Sequence, residues 1–152
     1  MKNTIHEKDY KEIVSRIQSL KSDAERQWGS MNASEMIVHC TDPIREALGT
    51  RITKPYNNWF YKTIGKFLIF YVIPFPKGKA DSPIEYDVKK KGTAPVKFGD
   101  DKDILLKLLS NFYHTDATFN FSQHPMFGNL SRKEWGRLTY LHLDHHLTQF
   151  LG

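Results

Sequence analysis

Four segments of the chain place apolar residues at the three- and four-residue intervals of an amphipathic α-helix. The first segment runs from about His6 to Leu20, and the second runs from Ala33 to Leu48. The third begins at Asp100 or Asp101, and the fourth begins near Ser131 and continues to the C-terminus. The pattern therefore predicts four core helices.

Two of the predicted helices carry local signals at their ends. Asn32 and Glu35 have the spacing of a capping box at the start of the second helix. Ser131 and Glu134 repeat that pattern at the start of the last helix. Gly49 is expected to end the second helix. Pro43, inside the same helix, removes one backbone donor and predicts a bend.

The buried faces of the last two helices can be read from their apolar stripes. The stripe of the third core helix is predicted to contain Ile104, Leu105, Leu108, Leu109 and Phe112. The stripe of the last helix includes two histidines and is predicted to contain Trp135, Leu138, Thr139, His142, His146, Leu147 and Phe150. These histidines should therefore point into the core.

The region between residues 51 and 99 has a weaker pattern. Residues 59–73 are rich in aromatic and aliphatic side chains and predict an additional helix, although Ile69, Phe70 and Val72 would also suit a strand. Residues 74–99 contain four prolines and three glycines and predict an extended connection. We interpret Trp59, like Trp28 and Trp135, as a core or loop anchor.

These elements predict an all-α fold. The pattern is typical of a four-helix bundle, because it has four core helices and no internal repeat. The second and third core helices would be joined by a long crossover that contains additional structure. A chain of 152 residues suits one domain, so residues 1–152 are expected to form a single helical-bundle domain. The aromatic content of 13% favours a globular protein over a disordered one.

Composition limits the classes of partner. The formal net charge is +5, and the surplus looks dispersed apart from the run of lysines from Lys89 to Lys91, which is interpreted as a solvated loop. No nucleic-acid motif accompanies that run, so no nucleic-acid partner is expected. The most apolar run, residues 67–75, is far shorter than the roughly 20 residues of a membrane span, so no membrane partner is expected either.

Compartment is inferred from the cysteine count and the N-terminus. The single cysteine, Cys40, excludes an internal disulfide and is compatible with a reducing cytoplasm. The first residues have no apolar core of a signal peptide. A cytoplasmic location is therefore expected.

The main chemical signal is the pair His142 and His146 near the C-terminus. Residues four apart on a helix lie one turn apart on the same face, which suits two imidazoles to one divalent metal. Burial favours the neutral imidazole, whose free lone pair is what a metal binds. His39 lies on the inner face of the second helix and could complete a three-histidine site if the second and last helices are neighbours.

Such a site would leave coordination positions open for water or substrate. Imidazole ligands suit zinc, nickel, iron or copper, and the sequence does not choose among them. The alternative is that each histidine is a hydrogen-bonded core residue. Spacing alone leaves both interpretations open.

Other residues near the predicted site have ordinary interpretations. Cys40 is expected to be a small buried apolar residue. Asp42 and Glu35 could lie near the outer shell of a metal, but Glu35 already has a capping role. His145 is the alternative ligand, and His124 is expected to stabilise a turn.

Several stretches of the sequence resemble one known group of proteins. They are residues 28–40, the segment His124-Pro-Met-Phe-Gly128, Trp135, and residues 140–150. Together they resemble the DinB-like (YfiT-like) superfamily, which is described as a group of metal-dependent hydrolases. The resemblance extends over nearly the whole chain and is weakest between Arg51 and Gly99.

The resemblance implies an up-down-down-up four-helix bundle, often dimeric, with a divalent metal held by three histidines. His39 matches the ligand from the second helix, and His142 and His146 match the pair from the last helix, with His145 in an extra-histidine position. Zinc or nickel is the first expectation for the metal, with iron or another divalent ion as alternatives. Some members act as transferases or isomerases that use low-molecular-weight thiols, and others are described as hydrolases.

The leading hypothesis is therefore a metal-dependent hydrolase or thiol-dependent transferase. It would act on a small-molecule substrate, with metal-bound water or thiolate as the nucleophile, and it would form a homodimer if it follows the resemblance. No general base is visible in the sequence, so the catalytic residues stay unassigned. The alternatives are a metal- or small-molecule-binding module without turnover, and a helical interaction protein whose histidines fill a polar core.

Overall fold

A computed structural model describes residues 1–56, 58–72 and 84–151 of the chain. Its helices are α1 (Glu7–Ser19), α2 (Ala33–Ala47), α3 (Lys66–Tyr71), α4 (Phe98–Tyr113) and α5 (Arg132–Leu151), and a π-helical turn, Tyr61–Gly65, leads into α3. Within these residues there is no strand, apart from an isolated bridge between His124 and Gly128. The all-α prediction is confirmed for the described part of the chain.

Both predicted capping boxes are present. In α2 the Asn32 side chain accepts a hydrogen bond from the Glu35 backbone at 2.9 Å, and the Glu35 carboxylate accepts one from the Asn32 backbone at 2.8 Å. At the start of α5 the Ser131 backbone donates to the Glu134 carboxylate at 2.8 Å, and the Glu134 backbone donates to the Ser131 hydroxyl at 3.3 Å. These bonds satisfy backbone donors that the start of a helix leaves unpaired. They therefore fix where α2 and α5 begin.

The end of α2 also follows the sequence. The helix continues through Pro43 and ends at Ala47. Gly49 has a φ of +74°, in the left-handed region where a side chain is unfavourable, and its backbone donates to the Glu46 carbonyl at 3.0 Å. Gly49 is therefore the stop that the sequence predicted.

The structure corrects two details of the third core helix, α4. The helix begins at Phe98 rather than at Asp100 or Asp101, because the Asp101 carboxylate accepts from the backbones of Val96 and Lys97 at 2.9 and 3.1 Å and orders the entry. Ile104, predicted to be buried, is 40% exposed. Leu105, Leu109 and Phe112 are buried as predicted. A rotation of about 100° per residue separates Ile104 from the stripe that they form.

The middle region is helical as far as it is described. The π-helical turn and α3 confirm a helix within residues 59–73, and the strand alternative is wrong for Ile69 and Phe70. Ile73 and residues 74–83 of the predicted connection lie outside the described residues. Residues 84–97 form turns and irregular chain, as expected of a connection. Trp59 is 70% exposed, which contradicts its interpretation as an anchor.

The four long helices share one hydrophobic core. Helix α2 packs against α4 and α5, α1 packs against the same two helices, and α3 packs against α5. Residues of all four long helices contribute to a single buried cluster, including Ile13, Met36, Leu109 and Trp135. The packing makes α2 and α5 neighbours, which is the condition that a site between His39 and the α5 histidines requires. None of the described helices has the length and apolar character needed to cross a bilayer.

Candidate metal centre

The three predicted histidines meet between α2 and α5. The Nε2 atom of His39 lies 3.0 Å from Nε2 of His142 and 3.1 Å from Nε2 of His146. One nitrogen from each ring lies within 4.8 Å of the other two, a grouping that could hold a metal ion. The helical spacing of His142 and His146 and the packing of α2 on α5 bring the three rings together.

The orientation of His39 is fixed by its other ring nitrogen. Nδ1 of His39 lies 2.8 Å from the backbone carbonyl oxygen of Tyr86. A carbonyl oxygen can only accept, so Nδ1 carries the hydrogen and donates it. In a neutral imidazole the remaining nitrogen, Nε2, then carries a lone pair, and it is this atom that faces the other two histidines.

His146 is held in the same tautomer from its own helix. Its Nδ1 lies 2.8 Å from the Oε1 atom of Gln149, three residues later in α5, and both side chains are buried. The amide oxygen accepts the hydrogen of Nδ1, so Nε2 of His146 also presents a lone pair to the cluster. A metal-binding imidazole is commonly oriented through its second nitrogen in this way.

Burial keeps all three rings neutral. It lowers the pKa of His146 to about 3. Burial also lowers the pKa of His39, although the Tyr86 carbonyl and the Asp42 and Asp87 carboxylates oppose the shift. The pKa of His142 is lowered well below its usual value, first by burial and then by the charge that His146 and His39 would carry if protonated. Near neutral pH the rings are therefore ligands rather than cations.

Two lone pairs that face each other across 3.1 Å, those of His39 and His146, repel unless a cation lies between them. A proton is disfavoured because burial lowers the pKa values of both rings. A metal fits the spacing: two nitrogens at about 2.0–2.1 Å from zinc lie about 2.9–3.4 Å apart for angles between octahedral and tetrahedral. The donor set and its spacing thus fit a divalent transition metal.

Residues 1–152 match the family described as "Protein of unknown function (DUF1569)". The chain belongs to the DUF1569 family. The comparisons with curated proteins and with solved structures gave no match.

The three histidines of this DUF1569 chain differ in exposure. His39 and His146 are buried, whereas His142 keeps part of its surface in solvent. His142 is therefore the member of the cluster that solvent reaches. An open side is the feature that distinguishes a catalytic or ligand-binding metal site from a closed structural one.

The acidic residues near the site have defined partners. The fully buried Asp42 accepts hydrogen bonds from the backbone and hydroxyl of Thr93 at 2.9 and 2.6 Å, and it pairs with Arg45 and Arg51 at 3.4 and 3.3 Å. Its position anchors the chain after residue 84 to α2, and its charge reaches His39 only through space. Glu35 is occupied by the capping box, as expected.

Cys40 and His145 are not part of the cluster. Cys40 is fully buried, burial raises the pKa of its thiol, and its Sγ lies 3.6 Å from Sδ of Met36, so it is the apolar core residue that was expected. The ring of His145 packs edge-on against Trp28, with 6.4 Å between ring centroids. It is not among the three side chains whose ligand atoms converge.

His124 stabilises a turn, as predicted. Its Nδ1 accepts hydrogen bonds from the backbones of Met126 and Phe127 at 3.1 and 3.2 Å. Its backbone exchanges two hydrogen bonds of 2.9 Å with Gly128, whose φ of +70° allows the tight return of the chain. Burial lowers the pKa of His124 to about 3, which keeps the ring an acceptor.

Sequence reasoning missed both residues that orient the rings. Gln149 could have been found, since it lies three residues after His146 and therefore on the same face of α5. Tyr86 could not, because it acts through its backbone carbonyl and is 47 residues from His39 in the chain. No side-chain pattern reports such a contact.

Proposed function

We propose that this DUF1569 protein is a metal-dependent enzyme, either a hydrolase or a thiol-dependent transferase acting on a small molecule. The convergence of the Nε2 atoms of His39, His142 and His146 carries the proposal. His39 and His146 are held in the tautomer that directs an Nε2 lone pair at this point, and two buried acceptors that face each other without a donor are costly in a packed core.

We further propose that the four long helices form a DinB-like, up-down-down-up bundle, with the segment from α2 to α4 as its long crossover. The pairing of α2 with α4 and α5, and of α1 with the same helices, supports this arrangement. The resemblance of the histidine positions supports the same assignment. The fold by itself does not specify the reaction.

The ligands would be His39, His142 and His146, with zinc or nickel as the first candidates, as the resemblance implies, and with iron or another divalent ion as alternatives that imidazole ligands also suit. A divalent metal with three protein ligands supplies a Lewis acid that lowers the pKa of water or of a thiol. Tyr86 and Gln149 hold two of the rings in the ligand tautomer. The partly exposed His142 lies on the side from which substrate would arrive.

The first experiment measures metal content. Protein purified without a His-tag is analysed by mass spectrometry for zinc, nickel, iron and copper, before and after chelation. The expected result is close to one metal per chain in wild type and its loss in His39→Ala, His142→Ala and His146→Ala. His114→Ala is the matched control, because His114 is an exposed histidine outside the cluster.

Each outcome of this experiment has a consequence. Equal metal content in His114→Ala and wild type, with loss in the three cluster variants, supports the site. A wild-type protein that takes up no zinc, nickel, iron or copper, even when these are supplied after chelation, contradicts the proposal. In that case the histidines would be core residues of a helical interaction protein.

A second experiment separates an enzyme from a binding module. Metal-loaded and metal-free protein are assayed with ester and amide substrates and with electrophiles in the presence of low-molecular-weight thiols. Turnover that requires the metal and is absent in His142→Ala supports the enzyme. Stoichiometric metal without turnover across both substrate classes favours the non-catalytic module.

A further inference from the structure

A second feature of the molecule lies away from the histidines, on the segment that includes the π-helical turn and α3. Six large apolar side chains of this segment are exposed and are called the α3 face: Trp59, Phe60, Ile64, Phe67, Tyr71 and Val72. Trp59 is 70% exposed and Phe67 is 58% exposed. Single exposed apolar residues are ordinary, but these six lie within 14 residues, and four of them recur at the three- and four-residue intervals that place side chains on one side of a helix.

The opposite side of the same segment is attached to α5. Phe70 is buried, its ring packs edge-on against Phe127 at a centroid distance of 5.6 Å, and its carbonyl accepts from Arg137 at 3.4 Å. The ammonium group of Lys66 lies 2.7 Å from the carboxylate of Glu134. The segment is thus fixed to the body of the protein by one side while the α3 face points outward.

The α3 face is as large as the largest apolar patches found on typical monomers. At the exposures observed, its six side chains leave about 600 Å² of mostly apolar surface accessible. That area is at the top of the range for the largest patch on a typical monomer, about 300–600 Å², and patches of this size mark interaction sites.

The sequence around this face is rich in basic residues. Residues 51–80 contain six lysines and arginines and no aspartate or glutamate. The other 122 residues contain 16 basic and 17 acidic residues, so this segment carries a formal charge of +6 and the rest of the chain carries −1. Along the sequence the surplus is therefore uneven, although Arg51 pairs with Asp42 and Lys66 pairs with Glu134. Lys54 and Lys62 are exposed, and the part of the chain that the structure describes offers them no ion pair.

We propose that the α3 face is an interfacial anchor that binds the surface of an anionic lipid bilayer. Aromatic and aliphatic side chains on one side of a short helix, with lysines beside them, suit the boundary between headgroups and acyl chains. Tryptophan and tyrosine favour that boundary because their rings are apolar and their edges are polar. The neighbouring lysines contribute attraction to anionic headgroups.

Charge argues against a second copy of the chain as the occupant. In a two-fold symmetric dimer the same patch faces itself, so the basic segment of one protomer would lie against that of its partner. Like charges brought together at the edge of an interface are unfavourable. A bilayer surface with negative headgroups is complementary in both charge and polarity.

The expectation that the protein has no membrane partner rested on the absence of a spanning segment. A helix that lies in the interface needs no span, since it buries only one face to a depth of about 5–10 Å. The proposal is independent of the metal centre, because none of the six residues contributes to the histidine cluster.

The test is flotation of the full-length protein with vesicles of phosphatidylcholine alone, or of phosphatidylcholine mixed with phosphatidylglycerol. Wild type is expected to float with the mixed vesicles and to stay in the dense fractions with the neutral ones. Binding should fall as salt is raised, because the charges are exposed to solvent. Trp59 provides a second readout: its fluorescence should shift to shorter wavelength with mixed vesicles, and Trp59→Phe should abolish the shift.

Two variants of the face and two matched controls make the result specific. Phe67→Ser is expected to lower the partition coefficient about tenfold or more, and Lys62→Glu about 5-fold for each unit of charge lost. Ile104→Ser and Lys107→Glu make the corresponding apolar-to-serine and lysine-to-glutamate changes at exposed positions of α4, outside the segment, and should have smaller effects. Circular dichroism melting confirms that each variant is folded.

Three outcomes would overturn the proposal. The first is wild-type protein that stays in the dense fractions with mixed vesicles at low salt. The second is equal loss of binding in the face variants and in the α4 controls, which indicates unspecific attraction. The third is a lipid-free dimer, measured by light scattering, that Phe67→Ser converts to a monomer, because the face would then be covered by a second copy.

Discussion

Replacing Gln149 with methionine tests whether the tautomer of His146 matters for metal binding. The amide oxygen of Gln149 accepts the Nδ1 hydrogen of His146 at 2.8 Å, and the side chain of Gln149 is 5% exposed. Methionine has a similar length and no amide acceptor. In Gln149→Met the ring either leaves Nδ1–H unpaired or moves the hydrogen to Nε2, where it occupies the lone pair that a metal needs.

The magnitude follows from two independent estimates. An unpaired buried donor costs about 1–3 kcal/mol. Loss of a residue that orients a metal ligand typically costs about 10–100-fold in metal affinity, which corresponds to about 1.4–2.7 kcal/mol. We therefore expect the dissociation constant of Gln149→Met for zinc or nickel to rise by about 10–100-fold.

Competition with a chelating dye, on protein first stripped of metal, measures the affinity. Gln149→Glu is the matched control, since a carboxylate oxygen can still accept from Nδ1, and it should bind metal at least as tightly as wild type. Thermal unfolding of the metal-free variants reports any general loss of stability. Equal affinity in Gln149→Met and wild type, or equal weakening in Gln149→Met and Gln149→Glu, would refute the reasoning.

The remaining predictions concern stability. Gly136→Ala should lower the free energy of unfolding by about 1–3 kcal/mol, because an added Cβ would lie 2.2 Å from the side-chain oxygen of Asn3. A Cβ added at Gly99 would meet no atom within 4 Å apart from the neighbouring backbone, so Gly99→Ala should be neutral or stabilising. Denaturant unfolding measures both variants, and equal stability changes in the two would disprove the packing argument. The pKa of His124 is about 3 in the fold against an ordinary value of 6.5, so between these values only the unfolded chain binds the proton. The contribution of the neutral His124 ring to the free energy of unfolding should thus be present above pH 6.5. It should fall by about 2 kcal/mol as the pH drops from 6.5 to 5. His124→Asn should remove this part of the pH dependence. If the free energy of unfolding of the variant and of wild type changes in parallel with pH, the assignment to His124 is excluded.

One helix connects the two proposals. The first half of α5 holds the segment with the α3 face, through Glu134 and Arg137, and its second half carries His142 and His146. A bound lipid surface and a bound metal would therefore be attached to the same 20-residue helix. The vesicle and metal experiments are separable, since each has variants that leave the other feature intact.

The helical content and the histidine pair were predictable because they depend on short-range periodicity. Capping boxes at Asn32 and Ser131, the stop at Gly49 and the one-turn separation of His142 and His146 are all set by residues within four positions of each other. The exposure of Ile104 was not predictable from the sequence, because an apolar stripe inferred from sequence is wider than the surface that a neighbouring helix contacts.

What the sequence determined by itself was therefore local: which segments are helices, and which imidazoles share a face. Tertiary packing decided that α2 and α5 are neighbours, so that His39 meets partners more than 100 residues away. It also brought the Tyr86 carbonyl to His39 and left the α3 face in solvent. Local hydrogen bonding and periodicity act over a few residues, whereas helix adjacency, burial and the pKa shifts that follow from it depend on the whole core.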